Sequence, residues 1–152
     1  SSDLEAMVIA ELEARQHQVR VELSVGEDLP PVMGDAIQIE QVILNLARNA
    51  VEAMHEVAPD QRQLSIRAYT DARGVANLEI RDTGPGLPRD MFNQIYEPFF
   101  TTKANGMGMG LPICRSIVEA HGGVLQAFYN EPSPGLTFRF DLPGIEENPN
   151  HA

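Results

Sequence analysis

Between Val19 and Val25 apolar and polar residues alternate strictly: Val19, Val21, Leu23 and Val25 are separated by Arg20, Glu22 and Ser24. A period of two puts one set on one face of an extended chain, so the run predicts a half-buried strand, ended by the Pro30-Pro31 break between Gly26 and Gly34. The preceding residues, Asp3 to about Gln16, have a different period. Leu4, Val8, Ile9 and Leu12 recur at helical spacing among charged residues and predict an amphipathic helix that packs through them. A second and longer helix follows Asp35, its N-cap, with Ile39, Val42, Ile43, Leu46, Ala50 and Ala53 marking the buried side as far as about His55.

Two short alternating runs, Leu64 to Tyr69 and Val75 to Ile80, flank Thr70-Asp71-Ala72-Arg73-Gly74, a separation suited to a hairpin. A Gly/Pro-rich turn at 83–88, a short helix near Arg89 to Gln94 and an irregular stretch come next. Leu111 to Ala120 then reads as a helix ended by His121-Gly122-Gly123, before the strands Val124 to Tyr129 and Leu136 to Leu142. Antiparallel strands interleaved with a few long helices imply a two-layer α/β sandwich: a mixed, mostly antiparallel sheet with helices on one face and solvent on the other. The folded unit is expected over residues 1–143. The tail 144–152, with Glu146-Glu147-Asn148-Pro149-Asn150, is polar enough to be read as disordered.

Composition narrows the function. At 152 residues, with 43% hydrophobic and 22% charged content, the chain is the size of one ordinary domain. A net charge of −11 opposes nucleic acid and anionic membrane as partners, because both require a basic face. An anionic small ligand stays open, since local cations, backbone N–H groups or a metal can outweigh a distant negative surface. The single cysteine, Cys114, cannot form an internal disulfide, and neither a secretory signal nor a membrane-spanning run is visible. A cytoplasmic setting is therefore expected, any membrane anchor lying outside this chain.

Four segments carry candidate chemistry. Asn45 and Asn49 share a helical face with Arg48 and Glu52, and two carboxamide oxygens suit a hard cation that keeps water and phosphate as its other ligands. Alone, the pair fits an exposed or backbone-capping role better than a metal site. Asp82 opens Thr83-Gly84-Pro85-Gly86 at a strand end. Its carboxylate would accept from the exocyclic amine of adenine and repel the O6 of guanine, although an ordinary Asp-x-Gly turn explains the same residues. Gly106, Gly108 and Gly110 alternate with Met107 and Met109 ahead of Leu111, so backbone N–H groups and a helix N-terminus can face phosphates, although a flexible linker explains the same glycines. Lys103 offers a mobile ammonium beside them, and Phe99 and Phe100 offer apolar anchors. His17, His55 and His121 have no metal-ligand spacing and read as structural, and Cys114 reads as a small buried residue.

In this order the segments resemble the N, G1, F and G2 boxes of the sensor histidine kinase catalytic domain, a branch of the Bergerat-fold ATPases that also includes gyrase and mismatch-repair ATPases. The short interval from Phe100 to Gly110 is similar to the short-lidded kinases of nitrogen-regulation and oxygen-sensing type. Gly135-Leu136-Thr137-Phe138 with Leu142-Pro143 resembles the family's last strand. The resemblance implies ATP and Mg²⁺ as ligands, with Asn49 and Asn45 on the metal and Asp82 on the adenine amine, supported by Thr137. It places Gly84, Gly86, Thr101, Thr102, Lys103, Gly106, Gly108, Gly110 and Leu111 around the nucleotide, joined by Arg48. Asn45, Asn49 and Lys103 would form the catalytic set. It further implies transfer of the γ-phosphoryl group to a histidine on a separate dimerisation domain, absent here, with a response regulator downstream and a monomeric isolated domain.

His55-Glu56 has the dipeptide of an acceptor site but lies inside the ATP domain, and is rejected. The alternatives are a non-catalytic nucleotide-binding or docking module, and a Bergerat-fold ATPase that hydrolyses ATP. The hydrolases typically carry a glutamate base four residues before the metal-binding asparagine, where this chain has Asn45, whose amide cannot take a proton.

Overall fold

The structure, a computed structural model, describes residues 2–30, 36–85, 110–130 and 134–143. The expected cap Asp35, the turn beyond Pro85, the short helix near 89–94, the segment 99–109 and the tail 144–152 lie outside the described residues. The elements run α1 (Ser2–Gln16), β1 (Arg20–Val25), α2 (Ala36–Ala53), β2 (Gln63–Thr70), β3 (Ala76–Arg81), α3 (Gly110–Ala120), β4 (Leu125–Tyr129) and β5 (Leu136–Leu142), with single 3₁₀ turns at Met54–Glu56 and Pro59–Gln61. No described helix is long and apolar enough to cross a membrane.

The five strands form one sheet in the order β1-β2-β3-β5-β4. β1 runs parallel to β2, which requires the crossover through α2; the other three pairings are antiparallel. The sheet is therefore mixed and mostly antiparallel, as the alternation implied. Leu64, Ile66 and Ala68 of β2, Leu78 and Ile80 of β3, and Leu136, Phe138, Phe140 and Leu142 of β5 point to one face and are buried under the helices. The opposite face carries Arg67, Tyr69, Glu79 and Arg139, where guanidinium groups lie over the rings of Tyr69 and Phe128 and pair with Glu79.

α2 is the central helix of the covering layer. Its apolar residues Ile39, Val42, Ile43, Leu46, Ala47, Ala50 and Val51 are buried, and it packs against α1 on one side and α3 on the other. α3 opens on Gly110 with Pro112 in its first turn, where the N–H that proline lacks has no intrahelical partner to lose. The β2–β3 hairpin turns at Asp71, whose carboxylate accepts from the N–H groups of Arg73 and Val75 and from Asn77 Nδ2, while Gly74 takes the positive φ. The Arg73 guanidinium beside it holds the Asp71 carboxyl well below the usual carboxylate range.

One expectation is reversed. α1 exists, but Leu4, Val8, Ile9 and Leu12 are exposed, and the helix packs through Ala6, Met7, Ala10 and Ala14. The small residues lie where α1 meets α2, since alanines let two helix backbones approach closely while the larger side chains remain on the outer surface. Both faces have helical spacing, so periodicity alone does not choose between them. Truncating Met7 to Ala should accordingly destabilise the domain by about 2–5 kcal/mol. Leu12→Gln, on the exposed stripe, should change stability by no more than about 0.5 kcal/mol. Urea unfolding of the two variants checks this assignment, and equal losses would contradict it.

Candidate functional site

Asp82 follows the last residue of β3 and keeps the parity of Leu78 and Ile80, so its side chain turns to the helix-covered face and is only 4% exposed. Its Oδ1 accepts from Gly84 N at 2.9 Å and Leu136 N at 3.3 Å. Among the described residues no bond to Oδ2 is present, which leaves an acceptor for a ligand. Burial pushes the Asp82 carboxyl up to about 6, against the opposing pull of the Gly84 and Leu136 N–H groups.

The end of α2 closes over this turn. A Cβ at Gly84 would come within 3.2–3.3 Å of Asp82 Oδ1, Ala53 Cβ and Ala53 O, so a glycine is what lets the turn lie against α2. Thr83 ties the same turn down from the other side: its hydroxyl donates to Gln61 O at 2.8 Å and accepts from Gln63 N at 3.0 Å. No local pattern shows this role of Thr83, because its backbone partners are Gln61, in a 3₁₀ turn, and Gln63, at the start of β2.

Asn45, Asn49 and Glu52 form a stripe on α2 that leads to Ala53 and the Asp82 turn. Both amide atoms of Asn49 and one oxygen of Glu52 are buried without a hydrogen bond among the described residues. Orphaned buried polar atoms are costly, and oxygen donors of this kind match a hard divalent cation. Asn45 lies within hydrogen-bonding reach of the Cys114 thiol of α3, which burial pushes up to about 11. Cys114 is thus a buried, protonated packing residue, as expected.

Two candidates are placed elsewhere. Arg48 reaches across to α1, where its guanidinium donates at 2.8 and 2.9 Å to the two oxygens of Glu13, so the structure gives it a part in joining α1 to α2. The resemblance gives Thr137 a supporting part in the Asp82 contact. It lies between the buried Leu136 and Phe138, so the period of two turns its side chain to the opposite sheet face, where its hydroxyl donates to Asn130 Oδ1 at 2.6 Å. Gly110 and Leu111 form the start of α3, with Leu111 buried. Gly86, Thr101, Thr102, Lys103, Gly106 and Gly108 lie outside the described residues. The structure also joins His17 and His55, 38 residues apart, at 3.2 Å between ring nitrogens, a contact that sequence spacing hid.

Comparison with known proteins agrees with the geometry. Residues 34–145 match the family described as histidine kinase-, DNA gyrase B- and HSP90-like ATPase, and the chain belongs to that family. It is 39% identical over 147 residues to the sensor histidine kinase TmoS of Ectopseudomonas mendocina, covering 93% of this chain and 15% of TmoS. It is 43% identical over 143 residues to the sensor protein FixL of Bradyrhizobium diazoefficiens, covering 94% of this chain and 27% of FixL. The chain thus spans little more than a quarter of these relatives at most. The fold is similar to the mycobacterial sensor histidine kinase MprB, with a TM-score of 0.77 and 29% identity over 93% of this chain and 95% of that one. It is equally close to the catalytic domain of histidine kinase ThkA, with a TM-score of 0.77 and 30% identity over 97% and 93%.

The raised Asp82 pKa has a consequence for stability. A carboxyl whose folded value lies above the ordinary 3.8 contributes stability that is complete below 3.8 and is lost as the pH rises through about 6. Above pH 6 the ligand-free domain therefore carries the cost of a buried charge. Asp82→Asn should stabilise it there by up to roughly 2–3 kcal/mol, with the difference from wild type vanishing near pH 4. Chemical denaturation across this range checks the sign, and a pH-independent difference would assign the effect to packing.

Proposed function

We propose that this domain binds ATP with Mg²⁺ and transfers the γ-phosphoryl group to a histidine on a separate helical dimerisation domain, from which a response regulator is served. The observation that carries the reading is the buried Asp82 carboxylate. Two backbone N–H groups hold one of its oxygens and, among the described residues, the other has no donor and the adjoining helix stripe has amide and carboxylate atoms without partners. Asp82 would accept from the adenine amine, and a guanine O6 in its place would meet an acceptor with an acceptor. The family membership and the sensor-kinase relatives support the nucleotide and the setting; the solved ShkA, similar to this chain with a TM-score of 0.72 and 28% identity, is a complex with AMPPNP.

Asn49, with Asn45, would hold the Mg²⁺, whose charge offsets that of the triphosphate when it is bound. Lys103 and the backbone of Gly106, Gly108 and Gly110 would meet the phosphates, with Gly86, Thr101 and Thr102 lining the nucleotide. Catalysis then consists of alignment and charge neutralisation: an acceptor imidazole nitrogen bonds the γ-phosphorus as the bond to the β–γ bridging oxygen breaks and ADP leaves. Asn45 supports transfer over hydrolysis, because its amide cannot act as the base that water attack needs.

Incubated with labelled ATP, Mg²⁺ and a cognate dimerisation domain, the chain should produce acid-labile phosphate on histidine and hydrolyse ATP only slowly. Rapid hydrolysis without transfer would overturn the kinase reading. Asp82→Asn should weaken ATP binding by about tenfold or more, because half of the new amide presents a donor to the adenine donor. In the same calorimetric titrations Asn49→Ala should reduce Mg²⁺-dependent binding more than Mg²⁺-free binding. Equal losses would make Asn49 a packing residue.

A further inference from the structure

Three polar groups of Asp82 are held by one short piece of chain. Its N–H donates to Leu136 O at 3.0 Å, its carboxylate Oδ1 accepts from Leu136 N, and its carbonyl accepts from Asn130 Nδ2 at 2.8 Å. Asn130 and Leu136, at the two ends of the β4–β5 connection, thus hold the residue whose carboxylate direction matters most. Asn130 is the side chain that organises this hold. Besides Asp82 O, its Nδ2 reaches Pro134 O at 3.2 Å, its Oδ1 accepts the Thr137 hydroxyl, and its backbone N–H donates to Gly135 O at 3.0 Å. Asp82 O and Pro134 O can only accept, so they fix the amide with Nδ2 toward them and Oδ1 toward Thr137. Both amide protons are used, and the orientation has no alternative that keeps these bonds.

Gly135 makes the arrangement hard to replace. It has φ +110, and a Cβ built on it would fall 2.2 Å from Asp82 O and 2.9 Å from Asn130 Nδ2. Gly135 therefore lies directly against the Asp82 carbonyl, where a larger residue would force the two apart.

We propose that Asn130 is a positioning residue for adenine recognition: it anchors the β4–β5 connection on the Asp82 main chain, and so holds Leu136 N–H where it fixes the direction of the Asp82 carboxylate. Thr137 acts in the same device from the far side of the sheet, fixing Asn130. The inference rests on Asp82 receiving the adenine amine. It assigns Asn130 no contact with nucleotide, and it explains why a residue on the opposite sheet face bears on the pocket.

The test is a double-mutant cycle read by nucleotide binding. Asn130→Ala should weaken ATP affinity about tenfold and reduce the preference for ATP over GTP. Asn130→Ser, which keeps one donor, should recover part of both. In an Asp82→Asn background, Asn130→Ala should have little further effect, because the carboxylate it positions is gone. Additive losses in the double variant, or an unchanged ATP/GTP ratio with weaker binding of both, would show general loosening and overturn the proposal. Thermal melts of each variant in the absence of nucleotide identify one that fails to fold, in which case the Asn130→Ser comparison decides. If wild-type protein bound ATP and GTP alike, the adenine reading itself would fail; if wild type discriminated and Asn130→Ala did so equally, only the positioning role would.

Discussion

A carboxylate removed from water must be satisfied or it will protonate, and among the described residues only one oxygen of the Asp82 carboxyl has hydrogen-bond donors. Gly84 and Leu136 supply two N–H groups to one oxygen, burial pushes the group up to about 6, and the other oxygen is left for a donor from outside the described chain. Much of the architecture serves that arrangement. β3 delivers the residue on the core-facing parity, Gly84 and the end of α2 lie against it, and Asn130 and Gly135 hold the main chain from the third side. A free domain that keeps an under-satisfied charge gives up stability that a complementary ligand can return on binding.

The two layers divide the work. The sheet gives a rigid base on which alternate residues have opposite fates, apolar toward the helices and ionic toward the open side. The helices give the site its polar ledge, since α2 turns seven apolar residues to the core and still presents Asn45, Asn49 and Glu52 along one stripe. The open face has a cavity of its own, lined by Asp71, Arg73, Asn77 and Asp141, but Arg73 pairs there with both aspartates and the cavity lies at the other end of β3 from Asp82. Its charges answer one another, whereas among the described residues Asn49 and one oxygen of Glu52 on α2 have no partner.

Much of this was legible in the chain. The strand runs, α2 with its buried residues, the hairpin at Asp71 and the buried Cys114 follow from periodicity and turn chemistry, and the Asn45/Asn49 and Asp82–Gly84 segments stand where their local patterns put them. What failed did so for specific reasons. α1 has two faces of helical period, and the larger apolar residues Leu4, Val8, Ile9 and Leu12 drew attention from the alanines that actually pack. Thr137 reaches Asp82 only through Asn130, because a single step along a strand changes faces. Thr83, Asn130 and the His17–His55 contact depend on partners 7 to 48 residues away, or on backbone atoms, and neither leaves a local pattern.

The sequence by itself determined the elements, the family resemblance and the chemical types on offer, because periodicity, glycine placement and side-chain functional groups are local properties of a chain. Only the tertiary structure decided which of those groups are desolvated together. Among the described residues Asn49 and one oxygen of Glu52 are buried without a partner, Arg48 pairs with Glu13, and Asn130 bonds the Asp82 carbonyl, because burial and hydrogen-bond direction arise only when distant segments pack and water is excluded between them.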